Sequence, residues 1–236
     1  MAIADIRRDY TVGHLDRAQL DADPLAQFDR WFAEAAQAKS AGSRLRRFAI
    51  GIYKSFATLF GGTNLEANAM ALATVGADGK PSVRTVLLKG ADARGLIFFT
   101  NYDSRKGQEI AANPNASLVF YWPELERQVC IAGTVVKLPR AESEKYFHSR
   151  PKGSQIAAAA SKQSNVVPDR AFLEAAMREL ERQFASAEVP MPEGWGGYVL
   201  APERIEFWQG RASRLHDRFS YTRSPDGAWQ IKRLAP

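Results

Sequence analysis

The sequence predicts a mainly β protein with inserted helices, an antiparallel barrel built in one domain of 236 residues. Three observations carry that prediction. Short runs rich in Val, Ile, Phe and Thr recur after residue 68, and hairpin signals join them. Helical periodicity appears before and between these runs rather than after each one. No strand, glycine-rich loop and helix follow one another, which argues against a Rossmann or P-loop site.

The elements follow in order. Asp23-Pro24 is a helix start, an acid able to cap followed by proline at the first helical position. Leu25, Phe28, Trp31, Phe32 and Ala35 then recur at helical spacing. A second helical pattern places Leu45, Phe48, Ala49, Ile52, Tyr53, Phe56, Leu59 and Phe60 on one side, with Arg44, Arg47 and Lys54 opposite. Gly61-Gly62 stops it. Residues 69–75 and 82–89 read as strands across a turn carrying Asp78-Gly79. Residues 96–101 form a third strand, and 104–113 a short helix ended by Pro114. Core strands are expected at 116–122 and 128–137, then helices at 141–148, 155–161 and 169–184. The last helix is amphipathic, with Phe172, Ala176, Leu180 and Phe184 expected inward. Strands return at 197–200, 204–209, 214–221 and 229–234, with Pro225-Asp226-Gly227 turning between the last two.

Composition excludes several classes. The longest apolar runs fall short of the roughly 18 residues that cross a bilayer, and MAIADIRRDY has no signal-peptide core. One cysteine, Cys130, permits no intrachain disulfide, and a cytoplasmic location is the simplest expectation. Cys130 lies in an apolar run and reads as a small buried hydrophobe. The net charge is +6, yet Arg44, Arg46, Arg47 and Lys54 lie in one stretch without an acid. The basic balance is therefore local and does not describe a nucleic-acid surface. The three histidines, His14, His148 and His216, form no zinc-ligand cluster, and no metal is expected.

The chemistry-bearing residues concentrate in a few segments. In 84–89, alternation puts Arg84, Val86 and Leu88 on one face and Thr85, Leu87 and Lys89 on the other. A strand edge of this kind can meet a flat heteroaromatic ring, and its cations can reach phosphate. Ser104, Arg105 and Lys106 open a helix, where a hydroxyl, two cations and free N–H groups suit an anion. Taken alone, they also fit a solvated first turn, but cations there oppose the helix dipole. Tyr146, Arg150 and Ser154 recur every four residues, a phenol, a guanidinium and a hydroxyl suited to a phosphate monoester or to a polar helix exit. Gln128 precedes a core strand and can reach a ring edge; Gln163-Ser164 lies between helices. Near the C-terminus, Arg214, His216 and Arg218 are expected to project together from one strand, either as a solvated face or toward an anion.

The C-terminal run Glu206-Phe207-Trp208-Gln209, four residues, then Arg214-Leu215-His216-Asp217-Arg218, resembles the signature of the pyridoxamine (pyridoxine) 5′-phosphate oxidases. The other segments match that family in the same order, over nearly the whole chain from Arg7 to Pro236. The resemblance implies a split β-barrel working as a homodimer, with FMN between subunits. It implies FMN contacts at Arg84, Thr85, Val86, Leu87, Leu88, Lys89, Phe99, Thr100, Arg105, Lys106, Gln128, Gln163, Ser164, Trp208 and Arg218. It assigns the substrate phosphate to Lys89, Tyr146, Arg150 and Ser154, and the pyridine ring to Arg214 and His216. It also implies an N-terminal lid within residues 1–22, touching substrate through Arg7 and Tyr10. The implied reaction passes a hydride from the substrate C4′ to the flavin, with O2 as final acceptor and H2O2 and pyridoxal 5′-phosphate as products.

The chain departs from the pattern at about residues 41–65, where some 24 extra residues carry the cationic amphipathic helix. That helix reads as packed on the barrel or across the dimer, with a membrane-surface role as the sharper alternative. Two other functions stay open beside the oxidase: a flavin- or vitamer-binding protein with little turnover, and a split-barrel flavoprotein acting on another substrate.

Overall fold

The computed structural model describes residues 3–5, 9–50 and 66–236, with the backbone alone at residues 4 and 39–50. Arg7 lies outside the described residues, as does the inserted segment beyond Ile50, so the membrane-surface reading of that helix has no structural counterpart. Helix α1 is Pro24–Ile50. Asp23 caps it as the sequence indicates, its Oδ1 accepting from Leu25 N at 3.0 Å. The first helical pattern runs straight into the second, α1 continuing unbroken to Ile50.

The strands are β1 (Ala69–Val75), β2 (Pro81–Leu87), β3 (Gly90–Asp92), β4 (Gly95–Asn101), β5 (Asn115–Trp122), β6 (Arg127–Lys137), β7 (Trp195–Gln209), β8 (Asp217–Arg223) and β9 (Trp229–Leu234). Among them run α2 (Arg105–Ala112), α3 (Arg140–Ser149), α4 (Lys152–Ala160) and α5 (Arg170–Gln183). Among the described residues nine strands form one sheet, in the order β2-β1-β5-β6-β7-β4-β3, with β8 on β7 and β9 on β8. The described pairings of β3 with β4, β4 with β7, β7 with β8 and β8 with β9 are all antiparallel. The mainly β, antiparallel architecture with inserted helices is the one that the sequence predicts.

Three elements differ from the sequence reading. Residues 197–200 and 204–209 belong to one strand, β7, although Pro202 interrupts the pattern. Its 195–200 half pairs with β4 and its 204–209 half with β8, so the proline, which lacks an N–H, falls between two ladders. Strand β8 begins at Asp217, three residues later than expected. Arg214 instead ends a 3-10 turn, Ala212–Arg214, in which Ser213 and Arg214 have φ of 56° and 60°. Left-handed backbone cannot continue a strand, so Arg214, His216 and Arg218 do not alternate along one. On α5, Ala176, Leu180 and Phe184 are half-buried as expected, but Phe172 is exposed. Only the later turns of that helix reach the apolar cluster of Phe147, Ile156, Val189, Met191 and Trp195.

Contacts divide the chain into two units, neither of them a continuous stretch. Unit 1 comprises Met1–Ala71, Ser117–Ala132 and Pro202–Pro236; unit 2 comprises Leu72–Ala116 and Gly133–Ala201. In unit 1 the core is aromatic: Phe28 packs on Phe120 at 5.0 Å, and Trp31 meets Phe207 edge-on at 5.2 Å. In unit 2, Phe98, Tyr198, Leu96 and Leu200 are fully or nearly fully buried, with Phe98 and Tyr198 facing across the β4–β7 ladder. No helix among the described residues is long and apolar enough to cross a membrane.

Candidate functional site

Unit 2 contains a cavity of about 740 Å³, within the range of small-molecule sites. Its lining includes Arg84, Thr85, Val86, Leu87, Lys89, Phe99, Thr100, Arg105, Lys106, Tyr146, Arg150, Gln163 and Ser164, so most sequence-predicted residues of this unit converge. Leu88 and Ser154 do not line it. Leu88 is buried on the core side of the strand edge. Ser154 is half-buried in the first turn of α4, where Pro151 restarts the helix after Arg150.

One wall is a cationic group gathered by a single acid. Glu109 on α2 is buried. Its Oε2 pairs with Arg84 Nη2 at 2.9 Å, and its Oε1 with Arg105 Nε at 2.9 Å. Thr74 and Ser82 hydroxyls donate to the same carboxylate at 2.5 and 2.6 Å. Burial raises the Glu109 pKa, but these four donors outweigh it and hold the carboxyl down at about 2. Lys106 is also buried, and its Nζ reaches Thr100 Oγ1 at 3.1 Å and Gln163 Oε1 at 2.9 Å. Burial, then Arg84 nearby, push its pKa down. Three cations against one carboxylate leave two positive charges, the complement of a phosphate dianion.

Helix α2 is brought to this wall by local sequence. Ser104 caps it, accepting from Gly107 N at 3.4 Å. Gly107 packs against the Tyr102 carbonyl, where a Cβ would stand 2.0 Å from that oxygen, so the helix start seats as it does only with glycine there.

The other wall is aromatic. The Phe99 and Tyr146 rings stack at 3.9 Å and 22°, and Trp195 lies nearly parallel to both. Arg150, at the end of α3, places its guanidinium carbon 5.1 Å from the Trp195 ring centroid. Its Nη1 is buried and has no hydrogen-bond partner. Burial holds its pKa below the usual guanidinium range. A buried guanidinium nitrogen without a partner beside a cavity calls for an explanation, and a bound anion would supply one.

Unit 1 carries a second cluster. His216 lies 4.7 Å from Trp208, and Tyr10 meets both rings edge-on at 5.6 Å. The Arg211 backbone N–H donates to His216 Nδ1 at 3.1 Å. Nδ1 is thus an acceptor, and neutral imidazole carries its proton on Nε2. Burial, then Arg214 and Arg218, lower the His216 pKa and so favour the neutral form. Arg218 is not a free cation, since Glu206 pairs with it at 2.8 Å and its Nη1 donates to Ala235 O. Gln128 Nε2 lies 3.1 Å from Cys130 Sγ, and Cys130 is half-buried, its thiol pKa pushed up by burial. The N-terminal segment is tied down at Val12 N by Glu126 Oε2 at 2.9 Å and at Leu15 N by Asp217 Oδ2 at 3.1 Å. Among the described residues no cluster of acids, histidine and cysteine is arranged to hold a metal.

Glu109, Trp195 and Gln155 are the residues that sequence reasoning missed. Glu109 follows Arg105 by four positions, a helical ion-pair spacing that could have found it. Trp195 acts through contacts distant in sequence, for which the chain offers no local signal, whereas Gln155 bonds the carbonyls of Arg150 and His148 just before it in the chain.

Comparison with known proteins fits this geometry. Residues 63–184 match the family described as pyridoxamine 5′-phosphate oxidase, and residues 195–236 match the pyridoxine 5′-phosphate oxidase C-terminal dimerisation region. Pyridoxine/pyridoxamine 5′-phosphate oxidase 1 of Ralstonia nicotianae is 54% identical over 235 residues, covering 100% of this chain and 99% of its own. The pyridoxine/pyridoxamine 5′-phosphate oxidase of Trichormus variabilis is 47% identical, covering 99% and 98%. Among solved structures, PhzG of Burkholderia lata, in complex with tetrahydrophenazine-1-carboxylic acid, superposes with a TM-score of 0.77 at 30% identity, over 95% of this chain and 99% of that one. With a matched family spanning the cavity wall and the C-terminal cluster, this chain belongs to the pyridoxamine 5′-phosphate oxidase family.

Proposed function

We propose that the chain, 1–236 taken as one domain with a lid within residues 1–22, is an FMN-dependent oxidase of pyridoxamine 5′-phosphate or pyridoxine 5′-phosphate. It yields pyridoxal 5′-phosphate, with O2 as acceptor and H2O2 as product (the amine substrate also consumes water and releases ammonia), and acts as a cytoplasmic homodimer. The observation that carries this reading is the cavity itself. It has two cationic groups, one charge-matched to a phosphate dianion and one with a buried, unsatisfied guanidinium nitrogen. Two phosphorylated aromatic ligands fit that pattern.

In this reading Arg84, Arg105 and Lys106 hold the flavin phosphate, with Thr100, Gln163 and Ser164 beside them and 84–89 along the ring edge. Gln128, Trp208 and Arg218 complete the flavin contacts. FMN, when bound, supplies a ring that accepts two electrons. Lys89, Tyr146 and Arg150, with Ser154, hold the substrate phosphate and so orient the reacting carbon, which is a large part of catalysis of this kind. Arg214 steadies the substrate's charge, and His216 donates from Nε2 to a ring substituent. Arg7 and Tyr10 close over the substrate and exclude water.

The test is direct. Purified protein should be yellow, and adding pyridoxamine 5′-phosphate should release H2O2. A colourless preparation that leaves FMN fluorescence unquenched would end the reading. The likeness to PhzG favours one alternative, a split-barrel flavoprotein acting on a carboxylated ring substrate. Yellow protein that ignores both phosphorylated vitamers would support that alternative, or a binding protein with little turnover.

A further inference from the structure

Arg150 is held without an acid. Among the described residues it makes no ion pair, and its Nη1 has no hydrogen-bond partner. What fixes it is carbon. Its guanidinium lies over the Trp195 indole at 5.1 Å and the Phe147 ring at 5.8 Å. The backbone beneath is pinned by Gln155, whose Nε2 donates to the carbonyls of Arg150 at 2.8 Å and His148 at 3.3 Å.

Trp195 cannot easily yield. It is 6% exposed and belongs to the buried cluster with Phe147, Ile156, Val189 and Met191. Phe99 stacks on it at 5.5 Å and 14°, and Phe147 meets it at 5.1 Å and 68°. It opens β7, opposite Asn101 of β4 in the ladder. The indole is therefore a fixed platform that also lines the cavity.

A guanidinium held by a carboxylate spends donors and charge on that partner. One held on a π face spends neither, because the ring attracts the cation through its quadrupole and leaves the in-plane N–H groups available. We propose that Trp195 is a positioning residue for Arg150, and that it thereby sets the preference for phosphorylated over unphosphorylated substrate. The proposal rests on the oxidase reading above. It adds a residue to which that reading assigns no role.

The experiment uses full-length, FMN-loaded protein and the variants Trp195→Leu, Trp195→Phe, Arg150→Ala and the double variant Trp195→Leu/Arg150→Ala. Steady-state kcat and KM are measured with pyridoxine 5′-phosphate, together with the inhibition constant of inorganic phosphate and the dissociation constant of FMN. A cation–π contact of this burial predicts that Trp195→Leu raises KM, and the phosphate inhibition constant with it, about 3- to 30-fold. Turnover at saturation and FMN affinity should stay within about 2-fold of wild type, and Trp195→Phe should recover part of the loss. In the Arg150→Ala background, Trp195→Leu should cost nothing further, since its effect passes through Arg150. An unchanged KM in Trp195→Leu overturns the proposal, as does a loss that simply adds to that of Arg150→Ala. If Trp195→Leu does not fold, the Trp195→Phe cycle decides on the same criteria. Wild-type protein that fails to oxidise the substrate counts against the oxidase reading, and the dissociation constant of inorganic phosphate, measured by calorimetry on the same variants, still tests the platform.

Discussion

Arg84 and Arg150 both line the cavity of unit 2, but their guanidinium groups are held by opposite means. Arg84 is ion-paired to Glu109, which also gathers Arg105 and two hydroxyls. Arg150 sits on the rings of Trp195 and Phe147 with a buried nitrogen unsatisfied. The difference teaches where each charge is balanced. The acid-paired group is compensated in part by Glu109 and can be ordered before any ligand arrives. The Arg150 side carries an uncompensated desolvation cost, which an incoming anion would offset. The first arrangement suits a resident group and the second a ligand that comes and goes.

Four changes test that contrast, beginning with the largest effect. Arg150→Ala removes the unspent cation. KM for pyridoxine 5′-phosphate should rise roughly 100-fold, as loss of charge-assisted hydrogen bonds implies, with FMN retained through chromatography. Loss of FMN together with KM would show that the two groups are not separate. Arg214→Ala should lower kcat by roughly 10-fold or more while the protein stays yellow, since oriented substrate matters more to turnover than to cofactor retention. Unchanged turnover would remove Arg214 from the reaction.

Glu109→Gln breaks the acid-paired group instead. It should lower stability by about 2–3 kcal/mol, because Arg84 loses its counter-charge in a largely buried setting. The pH profile gives the sign. A carboxyl depressed to about 2 from its ordinary 4.5 contributes stability that is present above pH 4.5 and lost as pH falls toward 2. Denaturation followed between those values should show a steeper loss for wild type than for Glu109→Gln. Parallel profiles would mean that Glu109 is not the group responsible. The smallest effect belongs to Arg105→Gln. Its side chain is 66% exposed, so the pair with Glu109 contributes only about 0.3–0.5 kcal/mol to stability. FMN affinity should nonetheless fall about 10-fold, with a weaker dependence on salt, measurable by fluorescence titration.

The strands and the cations were legible in the sequence for different reasons. Alternation and turn residues gave β1 its bounds, and Asp78-Gly79 supplied the hairpin, with Gly79 at φ 75°. Ser104 and Asp169 each marked a helix start that the structure places one residue later. The cationic segments stood out because their residue types and spacing match a family. What stayed hidden depends on contacts between distant positions. Residues 197–200 and 204–209 looked like two strands because nothing local says that β7 runs on through Pro202 and changes ladder partner there. Arg214 looked extended because Ser213 and Arg214 are not residues that announce left-handed backbone. Three-residue β3 carries too little pattern to be read alone. Phe172 fits the apolar stripe of α5, but the neighbouring surface ends before it.

Gly210 is bare of side chain directly beneath Tyr10: a Cβ there would stand 2.8 Å from Tyr10 Cγ and 2.9 Å from its Cβ. Those atoms lie at the root of the tyrosine, where no rotation about the ring relieves the clash. Even alanine at 210 would therefore lift the aromatic cover off Trp208 and His216, leaving Val12 and Leu15 to be held by Glu126 and Asp217. A single methyl group is enough to separate the anchoring of the N-terminal arm from its sealing.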